Sequence, residues 1–287
     1  MTTAAAVAAA VAVAREHGVR VAEPVLLHDS FNLRVHLRPA PVVARVPTVT
    51  AMGRERPDEV LRRELEVVSH LHRAGAPVVP PSGLLPPGPH LRDGFAVTFW
   101  TYAEHDPERV ISPEEAGRGL AELHEALRGF PGELPVLWPA LDEPARLLGV
   151  LDGRIDSGVH ARLRAGHEEL AGRLPRGGGQ AVHGDAHPGN LLATPRGLLW
   201  NDFEECMTAP VAWDLAVLGR TLRLDGRAAL RAYGVDPDDP ALAVFRAARA
   251  LQGTLWQLVR AQRLPRHEAE AERALTAWLR DPSGARR

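Results

Sequence analysis

The stretch from His183 to Glu204 constrains this chain most. It opens with His183-Gly184-Asp185-Ala186-His187-Pro188-Gly189-Asn190 and closes with Asn201-Asp202-Phe203-Glu204. Between them lie two short apolar runs, Leu191-Leu192-Ala193 and Leu198-Leu199-Trp200, joined by Thr194-Pro195-Arg196-Gly197. Pro and Gly in the joint favour a turn. The two runs are expected to pair as a hairpin that brings the acidic sites side by side.

Asp185 stands two residues after His183, and Asn190 follows it after four intervening positions. His-x-Asp-x-x-x-x-Asn is the spacing of a kinase catalytic loop, and Asp202-Phe203 falls where a kinase keeps its metal-binding Asp-Phe-Gly. Phosphoryl transfer needs such a set. A nucleoside triphosphate repels an attacking hydroxyl, and magnesium bridging the phosphates takes oxygen ligands in octahedral geometry. Asn190 and Asp202 offer those oxygens. Asp185 can hold an acceptor hydroxyl in line and take its proton late, because this chemistry is mostly positioning plus charge neutralisation.

The stretch from His183 to Leu192 resembles the His-Gly-Asp-x-His-x-x-Asn signature of the aminoglycoside phosphotransferase and choline kinase family. Asn201-Asp202-Phe203-Glu204 followed by Pro210-x-x-Trp213-Asp214-Leu215 looks like that family's next motif block. These motifs cover residues 183–215; elsewhere the resemblance rests on the order of elements. It implies an α+β, protein-kinase-like fold in two lobes: an antiparallel sheet with a helix, then a larger, mainly helical lobe. It also implies ATP, Mg2+ and a small-molecule hydroxyl acceptor, without specifying which one. By the same resemblance His183 is structural, and Asp214 accepts backbone N–H groups from the catalytic loop. His187 is read either as part of the turn or as a residue at the substrate mouth.

Composition sets the outer bounds. A chain of 287 residues can bury a large core in one domain or two lobes. A net charge of −2 gives no reason to expect nucleic acid or an anionic membrane as partner. The single cysteine, Cys206, excludes an intramolecular disulfide and the Cys-rich zinc motifs, and fits a reducing cytoplasm. It reads as a small buried apolar residue. Thr3 to Ala14 is Ala- and Val-rich but has no preceding positive side chain and is too short to span a bilayer. It reads as a helix ended by Gly18 and packed on the first lobe. Nothing in the pattern specifies an oligomeric state. No lysine occurs anywhere, so no lysine can serve as the phosphate-binding cation.

Residues 1–103 read as the strand-rich, nucleotide-binding lobe. Val25-Leu26-Leu27, Leu33 to Leu37 and Val42 to Val46 are strands. The connection His28-Asp29-Ser30-Phe31-Asn32 falls where a kinase places its phosphate-covering loop but holds no glycine. Ser30 and Asn32 could donate to phosphate oxygens there, and an ordinary hairpin turn is the competing reading. Arg45 stands about where a kinase keeps its strand lysine, and a guanidinium can pair phosphates bidentately. Pro57 to Arg73 has helical period, and Glu64 beside Leu61 and Leu65 is the candidate to pair with Arg45; Glu66 projects from another face. Val78 to Gly94 is a Pro- and Gly-rich connector, and Phe95 to Trp100 alternates as a strand. Thr101-Tyr102-Ala103 then falls where the interlobe hinge offers its backbone to adenine.

Residues 104–287 read as helical. Ser112-Pro113-Glu114-Glu115 is a capping box opening a helix to about Gly129. Helices are expected over Pro144–Leu151, from Ser157 as cap to Leu174, and over Leu215–Arg223, Ala228–Tyr233, Ala241–Arg263 and His267–Leu279. His124 reads as a core histidine. The tail from Asp281 to Arg287 reads as frayed. Of Glu204 and Glu205, at least one is expected in solvent.

Two other classes compete. His183-x-Asp185-x-His187 could ligate the metal of a hydrolase, which leaves Asn190 and Asp202 without a role. A non-catalytic nucleotide-binding relative is the other. The acceptor pocket is expected from the late helices. Their acidic residues, from Asp225 through Asp236, Asp238, Asp239, Glu268, Glu270 and Glu272, are matched by arginines, so no wall suited to a polycation emerges. Trp213, Trp256 and Trp278 could cage a quaternary amine, but core packing explains them better.

Overall fold

The computed structural model describes residues 2–284. The chain divides into two compact units, one of residues 1–107 with 192–204, the other of residues 108–191 with 205–287. Residues 192–204 therefore belong with the first unit, whereas the sequence placed everything after residue 103 together.

In the first unit, α1 (Thr3–Glu16) precedes β1 (Val21–Asp29), β2 (Asn32–Pro39) and β3 (Val42–Pro47). Then come a single turn α2 (Thr50–Gly53), α3 (Pro57–Arg73), β4 (His90–Arg92) and β5 (Phe95–Thr101). The strands form one five-stranded antiparallel sheet in the order β1-β2-β3-β5-β4. Ala6, Ala9, Ala10, Val13 and Ala14 of α1 share a core with Leu33, Val35 and Leu37 of β2 and with Val97 and Phe99 of β5. Small side chains let α1 lie close against the sheet. On α3, Val60, Leu61, Leu65, Val68 and Leu71 are buried while Glu66 is exposed, as the helical period requires.

In the second unit α4 (Pro113–Arg128) carries the full capping box between Ser112 and Glu115. The single turn α5 (Trp138–Leu141), α6 (Glu143–Leu151) and α7 (Ser157–Arg173) follow. The cap of α7 is Asp156, which accepts from the Val159 amide; Ser157 is already helical. An aspartate one residue earlier does the same work. β6 (Gln180–Val182) leads into the loop of residues 183–190. The hairpin expected between the apolar runs, whose residues from 192 onward belong to the first unit, is present as β7 (Leu191–Thr194) and β8 (Gly197–Trp200). β9 (Met207–Ala209) pairs antiparallel with β6. The late helices are α8 (Ala212–Gly219), α9 (Gly226–Tyr233), α10 (Ala243–Arg263) and α11 (Glu268–Arg280). α8 thus starts and stops several residues earlier than the sequence suggested.

α10 is the central helix of this unit, packed against α6, α7, α8 and α11. Trp213, Trp256 and Trp278 are all buried, which takes them out of any exposed aromatic cage. Cys206 is buried and forms no disulfide. Of the tail expected to fray, residues 285–287 lie outside the described residues, and the Gly284 carbonyl accepts from Arg220. No helix among the described residues is long and apolar enough to cross a membrane.

Candidate active site

In the first unit, Arg45 on β3 meets Glu64 on α3 at the centre of a buried ion cluster. Nη1 of Arg45 donates to Glu64 Oε1 at 2.9 Å, and Nη2 pairs with Oε2. The same Nη1 donates to Asp202 Oδ1 at 2.8 Å. Arg34 lies directly opposite Arg45 in the β2–β3 register, and it pairs with Asp202 Oδ2. Two cations facing each other across a ladder repel; Asp202 receives one on each carboxylate oxygen. Burial pushes the Arg45 pKa down, opposed by the charges of Asp202 and Glu204.

Asp202 has φ +67°, in the left-handed region. Asp tolerates that region better than most residues, at some cost. Such a conformation turns its carboxylate toward the arginines and singles it out as a functional candidate. The residues on its C-terminal side hold position by burial. Glu204 pairs with Arg54 at 2.9 Å and accepts from Asn32 Nδ2 at 3.0 Å. Glu205, in the second unit, pairs with Arg249 at 3.0 Å. Both glutamates are buried, so neither is the solvated one the sequence suggested.

Asn32 also accepts from Thr50 Oγ1 at 2.8 Å, so both ends of its amide bond within the unit. It braces the ion cluster through Glu204. Ser30 is buried beside it, its N–H reaching the Asn32 carbonyl at 3.5 Å. At the end of β5, Thr101 N–H donates to the Pro80 carbonyl at 3.0 Å and Tyr102 N–H to the Pro41 carbonyl at 2.9 Å. Those two donors are therefore engaged, which corrects the expectation that they face a base. The Tyr102 ring stacks on His36 at 3.8 Å. The Ala103 carbonyl lies 2.9 Å from His105 Nδ1.

In the second unit, Asp214 at the start of α8 organises the loop that carries Asp185. Its Oδ2 accepts from His183 N–H at 2.8 Å and its Oδ1 from Gly184 N–H at 2.9 Å. His124 Nε2 lies 3.0 Å from the same Oδ2, and the Tyr233 hydroxyl lies 2.9 Å from His124 Nδ1. Trp213 Nε1 donates to the Gly184 carbonyl at 2.6 Å. Gly184 has φ +91°, and a Cβ there would stand 2.1 Å from the Glu205 carbonyl oxygen. Only glycine fits this corner.

The loop residues then hold one another. Asp185 N–H donates to His183 Nδ1 at 3.2 Å, which occupies that lone pair. Gly189 N–H donates to His187 Nδ1 at 2.9 Å, leaving Nε2 as the protonated nitrogen, 3.4 Å from Asp185 Oδ2. Asn190 Nδ2 donates to the Asp185 carbonyl at 2.9 Å and to Asp185 Oδ2 at 3.2 Å. Burial alone would raise the Asp185 pKa, but Arg249 first and His187 next outweigh it and hold the carboxyl well below the ordinary carboxylate range. Asp185 is an ionised carboxylate at neutral pH.

The cation on Asp185 is a residue the sequence reading missed. Arg249 on α10 pairs with Asp185 Oδ1. Its signal was present as Arg249-x-x-Gln252-x-x-x-Trp256, a helical stripe with polar groups where core was expected. Arg34, Arg54 and Glu143 were missed too; no motif surrounds any of them.

The oxygens of Asp202, Asn190 and Asp185 are hard donors and suit magnesium. Among the described residues no three His, Cys, Asp or Glu side chains group as a metal site, so the three-ligand hydrolase arrangement finds no support in the geometry.

A model of the phosphotransferase enzyme family (APH) matches residues 32–251. A search of curated protein sequences found no match. Among solved structures, the chain resembles a choline/ethanolamine kinase family protein from Mesorhizobium loti. That likeness has TM-score 0.61 and 21% identity, over 99% of this chain and 97% of that one. It resembles choline kinase LicA from Streptococcus pneumoniae with TM-score 0.57 and 16% identity, over 93% and 98% of the two chains. It also resembles amicoumacin kinase hAmiN, solved with AMP-PNP, Ca2+ and Ami, with TM-score 0.66 and 14% identity over 92% and 91%. The five-stranded antiparallel sheet and the helical second part are those of a kinase-like fold.

Proposed function

Because the chain belongs to the phosphotransferase enzyme family, we propose that it moves the γ-phosphate of ATP to a hydroxyl of a small molecule. The observation that carries this reading is Asp185 itself. It is an ionised carboxylate, held by Asn190 and His187 on one oxygen, in a loop whose amides are fixed by Asp214.

In this reading Asp185 receives the acceptor's O–H, orients it, and takes the proton as the O–P bond forms and ADP leaves. Asn190 and Asp202 are the residues that would hold magnesium, through their side-chain oxygens. Bound magnesium supplies charge neutralisation at the phosphates. Arg45, kept in place by Glu64, contacts the phosphates, and Arg34 adds a second cation on the same face of the sheet. Adenine recognition narrows to Ala103, since the Thr101 and Tyr102 amides are engaged. His183 and Asp214 support the loop. Ser30 and Asn32 shape the β1–β2 connection.

Nucleotide use is supported by the neighbours: hAmiN was solved with AMP-PNP and Ca2+, and an aminoglycoside phosphotransferase with GDP and kanamycin. Their acceptors differ among themselves and carry over only as a class, hydroxylated small molecules. The reading fits a soluble protein acting in the cytoplasm, with neither nucleic acid nor membrane as partner. The test is mass spectrometry after incubation with ATP and magnesium across amino sugars, amino alcohols, hydroxy amino acids and nucleosides. Gain of one phosphoryl group on an acceptor supports the reading. Tight Mg-ATP binding with no product from this panel or from a metabolite extract would leave the non-catalytic relative in its place.

A further inference from the structure

The second unit contains a buried polar ladder that the reaction as described does not use. Arg249, Gln252 and Trp256 occupy one stripe of α10. Arg249 pairs through Nη2 with Asp185 Oδ1. Through Nη1 it donates to Glu205 Oε2 at 3.0 Å and to Gln252 Oε1 at 2.6 Å. Gln252 Nε2 donates to Glu143 Oε2 at 2.9 Å and to Glu205 Oε2 at 3.2 Å. Trp256 Nε1 donates to the same Glu143 oxygen at 2.7 Å. Gln252 and Glu143 are fully buried.

Two features of the ladder point to a task. An ionic network costs more to bury than apolar side chains of the same volume, and here it runs along the central helix beside Leu251, Leu255 and Val259. It also ends on Asp185. One oxygen of that carboxylate is held by Arg249 and the other by Asn190 and His187. The Asp185 side chain is thereby fixed at both oxygens, one of them from a helix remote in sequence. The fork of a guanidinium reaches Asp185, Glu205 and Gln252 at once, which a lysine ammonium cannot reproduce in the same plane.

We propose that Arg249 is a positioning residue for phosphoryl transfer. Held by Glu205 and Gln252, it fixes the direction in which Asp185 presents its carboxylate to the acceptor hydroxyl. The inference rests on the phosphotransferase reading above.

The experiment compares steady-state turnover of wild type, Arg249→Ala, Arg249→Lys, Asp185→Asn and the Arg249→Ala/Asp185→Asn double variant on one phosphorylated acceptor. A carboxylate displaced by about 1 Å can cost on the order of 10²-fold in rate. Arg249→Ala should therefore lose about that much kcat, with KM for ATP and for the acceptor changed by no more than about twofold. Added guanidinium should restore part of the rate to Arg249→Ala and none to Asp185→Asn. Arg249→Lys should recover less than guanidinium does. In the Asp185→Asn background, Arg249→Ala should cost nothing further.

An unchanged kcat, a loss confined to KM, or a full multiplicative loss in the double variant would overturn the proposal. Should Arg249→Ala not fold, Glu205→Gln keeps the guanidinium and loosens its anchor; it should lower kcat by a smaller factor, and an unchanged kcat overturns the idea equally. Wild type that turns over, with Asp185→Asn dead, leaves the phosphotransferase reading standing whatever Arg249 does. Wild type without turnover removes both.

Discussion

Arg45 donates to Asp202 Oδ1 at 2.8 Å with the same nitrogen that holds Glu64. One guanidinium thus ties helix α3 and strand β3 to the residue proposed as a magnesium ligand. Glu64 is thereby the buried counter-charge of Arg45, and its loss should show in stability. Glu64→Ala leaves a buried guanidinium with part of its counter-charge removed. Breaking a buried pair from one side costs about 3–5 kcal/mol. Urea unfolding should show a loss of that order, while Glu66→Ala, on an exposed position of the same helix, should stay within about 0.5 kcal/mol. Equal effects from the two would contradict the pairing.

Asp202 offers a cleaner test as Asn than as Ala. Asn tolerates φ +67° nearly as well as Asp, so the backbone is not strained; the charge is lost, and one of the two oxygens that meet Arg45 and Arg34 becomes a donor. A contact to a charged group is worth about 1.5–3 kcal/mol, which is roughly 10- to 100-fold in affinity. Asp202→Asn should weaken ATP binding in magnesium by that factor and change magnesium-free binding far less. Calorimetry with and without the metal separates the two. Unchanged magnesium-dependent binding would remove Asp202 from the ligand set.

Much of this site was legible in sequence because it is local. His183, Asp185 and Asn190 sit within one loop, and Asp202 follows a hairpin whose apolar runs announce it. The strands and α3 were legible through hydrophobic period, and the capping box at Ser112 was seen in full. What escaped is long-range. Arg249 reaches Asp185 from a helix far along the chain, and a lone arginine in a helical stripe looks like any surface arginine. At least one of Glu204 and Glu205 was expected in solvent, yet each finds a distant arginine, Arg54 and Arg249. The engaged amides of Thr101 and Tyr102 escaped for another reason: their contacts are backbone to backbone, and the carbonyls of Pro80 and Pro41 leave no side-chain trace.

The Asp214 carboxylate accepts from two adjacent amides and faces His124. Replacing it by Asn converts one acceptor oxygen into a donor that opposes an N–H. An unsatisfied buried group costs about 1–3 kcal/mol. Asp214→Asn should lose that much stability and lower kcat, since the loop carrying Asp185 relaxes. Tyr233→Phe removes only the hydroxyl beyond His124 and should cost about 1 kcal/mol with a smaller effect on kcat. Thermal melts and initial rates on both variants check the order, and a larger kcat loss from Tyr233→Phe would reverse it.

Acid should destabilise the second unit in a way traceable to one histidine. Burial pushes the His167 pKa below its ordinary 6.5, against the opposing charges of Glu168 and Asp142. The unfolded chain therefore binds the proton more readily than the native one. Stability from this group is complete above pH 6.5 and is lost as pH falls through the lower native value. His167→Gln should flatten the decline in melting temperature below about pH 6.5 and leave the alkaline side unchanged. A steeper acid decline in the variant would contradict the sign.

The most direct measurement is acceptor-stimulated ATP turnover by wild type and Asp185→Asn, with nucleotide affinity measured on the same samples. General-base positioning contributes about 10²- to 10⁴-fold. Turnover should fall by that factor in Asp185→Asn while Mg-ATP affinity stays within about threefold, a free-energy change below ~0.7 kcal/mol. An Asp185→Asn protein that turns over at the wild-type rate would contradict the account at its centre.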